Sequence, residues 1–188
     1  MNIIRYSALR SAPWRNGGGT TREVASFPAG SADFDWRISI ADVTTAGDFS
    51  PFPGVDRILT VIDGELLVVT VDGDEHAMEQ YRPFRFSGDS VTSCALPAGD
   101  TTDLNVMTRR GTFKGFLSIV ELSKKRAHPV FDDQVALLLK GNAVVNAGGE
   151  EAELGPLDSV YGDDPAPEVL GRGFLAIITL EAVPASAP

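Results

Sequence analysis

A single cysteine, Cys94, occurs in 188 residues, so no disulfide can close within the chain. A reducing, cytoplasmic setting is the expectation that follows. Cys94 stands between Ser93 and Ala95 in an apolar, strand-like run. It reads as a buried structural thiol rather than a nucleophile, since no histidine partner is evident. Histidine is almost as scarce, with only His76 and His128. His76 lies in the charged stretch Asp74-Glu75-His76 and His128 in a basic segment, so neither is placed for a Ser-His-Asp triad. No apolar run approaches the roughly 18 residues of a membrane helix, and Met1 to Arg10 lacks the apolar core of a signal peptide. No membrane partner is expected. The spacing of a Walker phosphate loop is absent. Lysine is sparse as well: 4 Lys against 12 Arg, within a net charge of −10. That charge opposes the phosphate backbone and excludes nucleic acid as the expected partner.

What is present is arginine, the side chain for planar, two-pronged recognition of carboxylates. Arginines converging on one pocket of an acidic protein would make a local anion site. The other feature is Trp14-Arg15-Asn16-Gly17-Gly18-Gly19-Thr20-Thr21-Arg22-Glu23. Three successive glycines bury nothing and lose much backbone entropy on folding. They permit positive φ or a very close approach of the backbone. A tight turn before a first strand and a binding loop both fit this stretch.

Further along, runs of five to eight residues alternate or are apolar, with turn residues every ten or so. Asp35 to Val43 sends Trp36, Ile38 and Ile40 one way and Arg37, Ser39 and Ala41 the other. Arg37 is then either a solvated residue or one that faces a barrel lumen. Val55 to Ile62, Glu65 to Val71, Tyr81 to Asp89, Val91 to Leu96, Leu104 to Arg110 and Phe116 to Leu122 read as further strands. Asp63-Gly64 reads as a hairpin turn between two of them. Asp132 to Lys140 fits a strand better than a helical turn. The pattern predicts an all-β fold, sandwich or barrel.

The second half echoes the first. Ile62-Asp63-Gly64-Glu65-Leu66-Leu67-Val68 is matched by Leu139-Lys140-Gly141-Asn142-Ala143-Val144-Val145, and Phe86-Ser87-Gly88-Asp89-Ser90-Val91 by Gly155-Pro156-Leu157-Asp158-Ser159-Val160. A repeated β-unit predicts two small packed barrels. Residues 1–122 form the first with its N-terminal strands. Residues 123–182 form a smaller second barrel, completed by strands of the first half. Residues 183–188 are an Ala/Pro tail expected to be disordered.

The pattern of Pro-Gly, strand, Gly-Glu, strand and Gly-Asp-Ser resembles the cupin jelly-roll barrel. More specifically, the chain resembles the HutD/Ves family of bicupins. The resemblance rests on Trp14 to Thr20 with Glu23, Asp35 to Ser39, Phe49 to Arg57, Phe84 to Asp89 and Asp103 to Gly111. It implies a bicupin with a regulatory or accessory role in bacterial histidine utilisation, with urocanate, formylglutamate or formiminoglutamate as ligand. A homodimer is expected by analogy with other cupins. Cupin enzymes commonly hold a metal with histidines and a glutamate. Counting back from Gly64, Arg57 falls where that glutamate would stand, and a guanidinium repels a metal. Neither histidine is expected on a barrel strand. No metal and no cofactor are therefore expected.

The positive expectation is a pocket for a small carboxylate. Arg57, Arg37, Arg85 and Arg109 would supply charge, the loop Asn16, Gly18, Gly19 and Thr20 would supply backbone amides, and Trp14, Phe86, Asn105 and Met107 would complete the lining. Trp36 reads as core. Glu23 beside an arginine could serve as a general base if burial raised its pKa. A metal-free cupin isomerase or hydrolase is thus the alternative to a non-enzymatic binder.

Overall fold

Alternating side chains at period two, broken repeatedly by glycine and proline, favour short strands over helices. The computed structural model describes residues 1–184 and is nearly all strand. In chain order it places β1 (Ile3–Ile4), a 3-10 turn at Tyr6–Ala8, β2 (Ser11–Pro13), β3 (Gly19–Phe27), β4 (Trp36–Val43), β5 (Gly47–Asp48) and β6 (Val55–Asp63). There follow β7 (Leu66–Val71), β8 (Asp74–Glu79), β9 (Phe84–Ser87), β10 (Thr92–Ala95), β11 (Thr101–Arg109) and β12 (Phe113–Leu122). The last are β13 (His128–Pro129), β14 (Gln134–Ala147), β15 (Glu150–Leu154), β16 (Ser159–Tyr161) and β17 (Glu168–Ala182).

The chain divides into two units. One comprises Arg10–Gly115 with residues 182–184, the other Met1–Leu9 with Phe116–Glu181. The expected boundary at residue 122 therefore shifts. Residues 1–9 leave the first unit because Ile3 and Ile4 pair with Val160 and Ser159. Val183 donates its backbone N–H to the Thr112 carbonyl at 2.8 Å. Of the expected tail, residues 185–188 lie outside the described residues.

In the Arg10–Gly115 unit, a sheet ordered β2-β3-β4-β11-β6-β9 accompanies a sheet ordered β5-β10-β7-β8. Their edges are not joined into a closed barrel. The two sheets share an apolar cluster that includes Val43, Leu59, Val61, Leu67, Val69, Met78 and Cys94. Cys94 is thus a core residue, and burial pushes its thiol up. The expected Asp63-Gly64 hairpin does not form, because β6 and β7 belong to different sheets. Gly64, at φ 95°, is the corner where the chain passes between them. A Cβ there would stand 2.7 Å from the Asp100 carbonyl oxygen, so only glycine fits.

The other unit is one seven-stranded sheet built around β14 and β17. These two strands pair from Gln134↔Thr179 to Asn146↔Glu168 and shift register between Leu138 and Lys140. Gly141, the sequence counterpart of Gly64, has φ 100° and pairs with Gly173. The echoed stretch is therefore a corner in both units, within a bent strand in one and between two strands in the other. The second echo also has a physical basis. Asp89 accepts from the Gly54 amide at 3.0 Å and pairs with Arg110. Asp158 accepts from the Tyr6 amide at 3.0 Å and from Arg5 at 2.7 Å.

Candidate functional site

Residues of alternate parity on neighbouring strands share one face of a sheet. In the register of β4, β11 and β6, Met107 stands between Arg37 and Arg57, Asn105 between Ser39 and Leu59, and Asp103 between Ala41 and Val61. Most of these line a cavity of about 420 Å³ within the Arg10–Gly115 unit. Thr21 of β3, Trp14, Arg15 and Asn16 of the glycine loop, and Phe49, Ser50 and Phe52 after β5 complete its wall. Arg15, Asn16 and Ser50 are exposed and mark its mouth.

Arg57 is the unusual group. It is 5 % exposed, and its Nε is buried without a hydrogen bond. No carboxylate pairs with it among the described residues. Its guanidinium carbon lies instead over three rings, at 5.4 Å from Phe49, 5.5 Å from Phe52 and 4.9 Å from Phe86. Burial, then the charge of Arg37, lowers its pKa to about 10. It remains a cation at neutral pH. Cation–π attraction returns about 0.5–2 kcal/mol, whereas stripping water from an ion costs several kcal/mol. The free site therefore leaves a cation short of partners.

Arg37 is held differently. Glu23 Oε2 lies 3.0 Å from its Nε, an ion pair whose N–H geometry falls short of a hydrogen bond. Ser26 donates to the other Glu23 oxygen at 2.8 Å. Glu23 is thus the ion-pair partner of Arg37. Trp14 donates its indole N–H to Thr21 at 2.7 Å and meets Phe49 edge to face.

Asp103 borders the same cavity at 1 % exposure, with both carboxyl oxygens buried and unbonded. The Thr101 hydroxyl approaches it but stops short of hydrogen-bond geometry. Burial pushes its pKa up to about 7, Thr101 works against that shift and the charge of Asp42 adds to it. Asn105, 7 % exposed, also leaves its Oδ1 unbonded.

Of the residues expected to form the site, Trp14, Asn16, Arg37, Arg57, Asn105 and Met107 line the cavity. Phe86 backs Arg57 from behind. The others do not line it. Arg85 neighbours Ile58 in the β6–β9 register, on the face opposite Phe86, and donates to the Gly115 carbonyl. Arg109 pairs with Asp33 and Asp35 and donates to the Phe34 carbonyl at the end of β11. Thr20 lies on the opposite face from Thr21 and donates to Asp42. The glycine loop does not present its amides as an anion cradle. Gly17 N–H donates to the Trp14 carbonyl and Gly18 N–H to Asn16 Oδ1, at 3.0 Å each. Gly18 and Gly19 carbonyls accept from Thr44 and Trp14. Gly19 is required for close approach, since a Cβ would stand 2.3 Å from the Asp42 oxygen.

Asp103, Ser39, Thr21, Phe49 and Phe52 line the cavity as well, beyond the residues expected from the sequence. The alternation Asp103, Asn105, Met107 is the signal that would have found the first. Trp36 is half-buried and stacks on exposed Phe27, so it is not core.

A cupin-type metal does not fit these residues. The guanidinium of Arg57 occupies the wall, and among the described residues no three His, Cys, Asp or Glu side chains gather as ligands. Both histidines do lie on strands, contrary to expectation, but His76 packs at a tilt against Phe84, with ring centroids 4.4 Å apart, and His128 sits on β13 in the other unit. No helix among the described residues is long and apolar enough to cross a membrane, which says nothing of β-barrels.

Comparison with known proteins places the chain in a family and agrees with its fold. A protein Ves from Citrobacter koseri is 41 % identical over 123 residues, which cover 63 % of this chain and 64 % of that protein. The match thus spans a little under two thirds of that relative. The structure of HutD from Pseudomonas fluorescens, determined in a formate condition, is 31 % identical, covers 97 % of this chain and 99 % of its own, and superposes with a TM-score of 0.80. A cupin 2 conserved barrel domain protein from Leptotrichia buccalis, 8 % identical over 96 % of each chain, has a TM-score of 0.60 and shows the fold alone. The HutD family model matches residues 6–177, and the chain belongs to the HutD family.

Proposed function

We propose that the cavity binds a small carboxylate metabolite without a metal, and that the protein serves histidine utilisation in a regulatory or accessory role. The observation that carries the binding claim is Arg57: a buried cation on a cavity wall, boxed by three phenylalanines and lacking an anion. A ligand carboxylate supplies the missing partner, and a desolvated guanidinium binds it more strongly than an exposed one. Arg37 adds a second positive charge beside it. The aromatic and aliphatic wall suits an acid with a short unsaturated or methylene body. The pathway itself rests on the HutD relationship, which makes urocanate, formylglutamate and formiminoglutamate the acids to try first.

The test is a thermal-shift screen in chelator with these three acids, glutamate and formate. Ligand at a hundred times its Kd adds about 2.7 kcal/mol, or roughly 5–10 °C for a chain of this size. No shift with any of them overturns the reading.

One observation favours a second reading, catalysis. Asp103 is a buried carboxyl brought to about 7, within the range of a general acid or base. Turnover of one of these acids, lost in Asp103→Asn, would establish it.

A further inference from the structure

The cavity wall is not uniformly positive. Arg57 Nε is a buried donor without a hydrogen bond, and both Oδ atoms of Asp103 are buried acceptors without one. A buried group in this state leaves several kcal/mol of solvation unreplaced. The two lie on adjacent strands and share one face. Arg57 is level with Met107, and Asp103 is four residues further along β11. At about 3.4 Å per residue that offset is about 14 Å between Cα positions, and side chains and a small ligand together span it. Arg37 and Arg57 line one end of the cavity and Asp103 the other. Asn105 lies between them, with an amide able to serve either way.

We propose that the site reads both ends of its ligand: Arg57, with Arg37 beside it, takes the carboxylate, and Asp103 takes an N–H group at the far end. The ligand class is a small acid that carries an amidine, guanidine or amine nitrogen remote from its carboxylate. This rests on the carboxylate reading above and narrows it.

The surroundings of Asp103 support the assignment. Asp42 on β4 raises its pKa, Thr101 opposes the rise, and Cys94 on β10 lies close enough to feel its charge. No cation of the chain pairs with it among the described residues, since Arg37 and Arg57 stand at the other end of the wall. A cationic N–H group arriving from the ligand favours the carboxylate form, so binding near pH 7 expels a proton. Without a ligand donor, Asp103 has only the Thr101 hydroxyl approaching it.

The test uses titration calorimetry on the full chain at pH 7 in chelator, with 4-guanidinobutyrate and its carbon isostere 6-methylheptanoate. In wild type the guanidino acid gains from Asp103, and in Asp103→Asn the ratio of the two affinities falls by about tenfold or more, the scale of one charge-assisted hydrogen bond. A ratio that stays within about twofold overturns the proposal. Repeating the wild-type titration in buffers of different ionisation heat counts protons. A guanidinium does not titrate near pH 7, so protons released come from the protein. Release by wild type supports the proposal even if the variant fails to fold, and no release overturns it. Arg57→Met separates the two claims. Loss of both acids in that variant sustains the carboxylate site whatever Asp103 does. Wild type that binds neither acid, or Arg57→Met that binds both as well as wild type, removes the carboxylate site and this inference with it.

Discussion

Along β11 the positions that face the cavity are Asp103, Asn105 and Met107. Along β14, in the unit of Met1–Leu9 and Phe116–Glu181, the packed positions are Ala136, Leu138, Ala143 and Val145. Both units use a glycine corner, Gly64 or Gly141, at nearly the same φ. Both anchor a turn with an aspartate and an arginine, Asp89 with Arg110 and Asp158 with Arg5. The frame is therefore common and the filling is not. One interior is closed by aliphatic side chains. The other keeps a buried cation and a buried acid around a space, at a cost in stability.

The largest expected effect breaks the filled interior. Leu138 is fully buried, and Leu138→Ala should lower unfolding free energy by about 2–5 kcal/mol in denaturant titration. A loss well under 1 kcal/mol would mean that this interior is not packed as described.

The next effect is a pH dependence in the hollow unit. Asp103 is raised from 3.8 to about 7 in the folded chain. Between those values the folded state holds a proton that the unfolded state has released. Stability from this group is thus fully present below the unfolded value, falls as pH rises towards 7, and is flat above it. Each pH unit in that window is worth about 1.4 kcal/mol at most. Asp103→Asn should abolish this slope and gain on wild type as pH rises from 5 to 8. Parallel pH profiles for the two proteins would show that Asp103 ionises as an exposed carboxyl does.

Arg57→Met is expected to change stability little, within about 1 kcal/mol or towards a gain, because an apolar side chain of similar length spares the desolvation. A severe loss would make Arg57 a structural cation rather than a waiting one. The smallest effect compares the two aspartate turns. Asp89 is lowered to about 2 by Arg110, the Gly54 amide and Ser87. Asp158 is also lowered; burial opposes the shift, while Arg5 and the Tyr6 and Gly155 amides outweigh it. Both aspartates stabilise above the ordinary carboxylate range, and that contribution fades as pH falls through their folded values. Asp89 is the more exposed, with solvent screening its ion pair, so Asp158→Ala should cost more than Asp89→Ala. The reverse order would place the firmer turn in the hollow unit.

Much of this contrast is legible in the sequence. Period-two alternation sets Arg37, Ser39 and Ala41 on one face of β4, and the echoed Gly and Asp positions mark the common frame. Arg57 is legible through the cupin resemblance. Arg85 is misplaced for a reason the sequence itself contains, since adjacent residues of one strand cannot both face inwards and Phe86 does. Arg109 obeys the parity of Met107, but Asp33 and Asp35 capture it, and only the folded chain brings them together. Phe49 and Phe52 lie in a proline-rich loop without periodicity, so their place around Arg57 depends on tertiary structure. β8, Asp-Glu-His-Ala-Met-Glu, is nearly devoid of strand-favouring residues and forms through its pairing with β7 at a sheet edge.

The central claim is that a cation waits in the hollow unit for a carboxylate. Titration calorimetry of wild type and Arg57→Met, in chelator, with urocanate, formylglutamate and formiminoglutamate tests it most directly. The account predicts saturable binding of at least one acid by wild type, and a loss of about a hundredfold or more in a folded Arg57→Met protein, the scale of a buried charge pair. Equal affinity in the two proteins would contradict it.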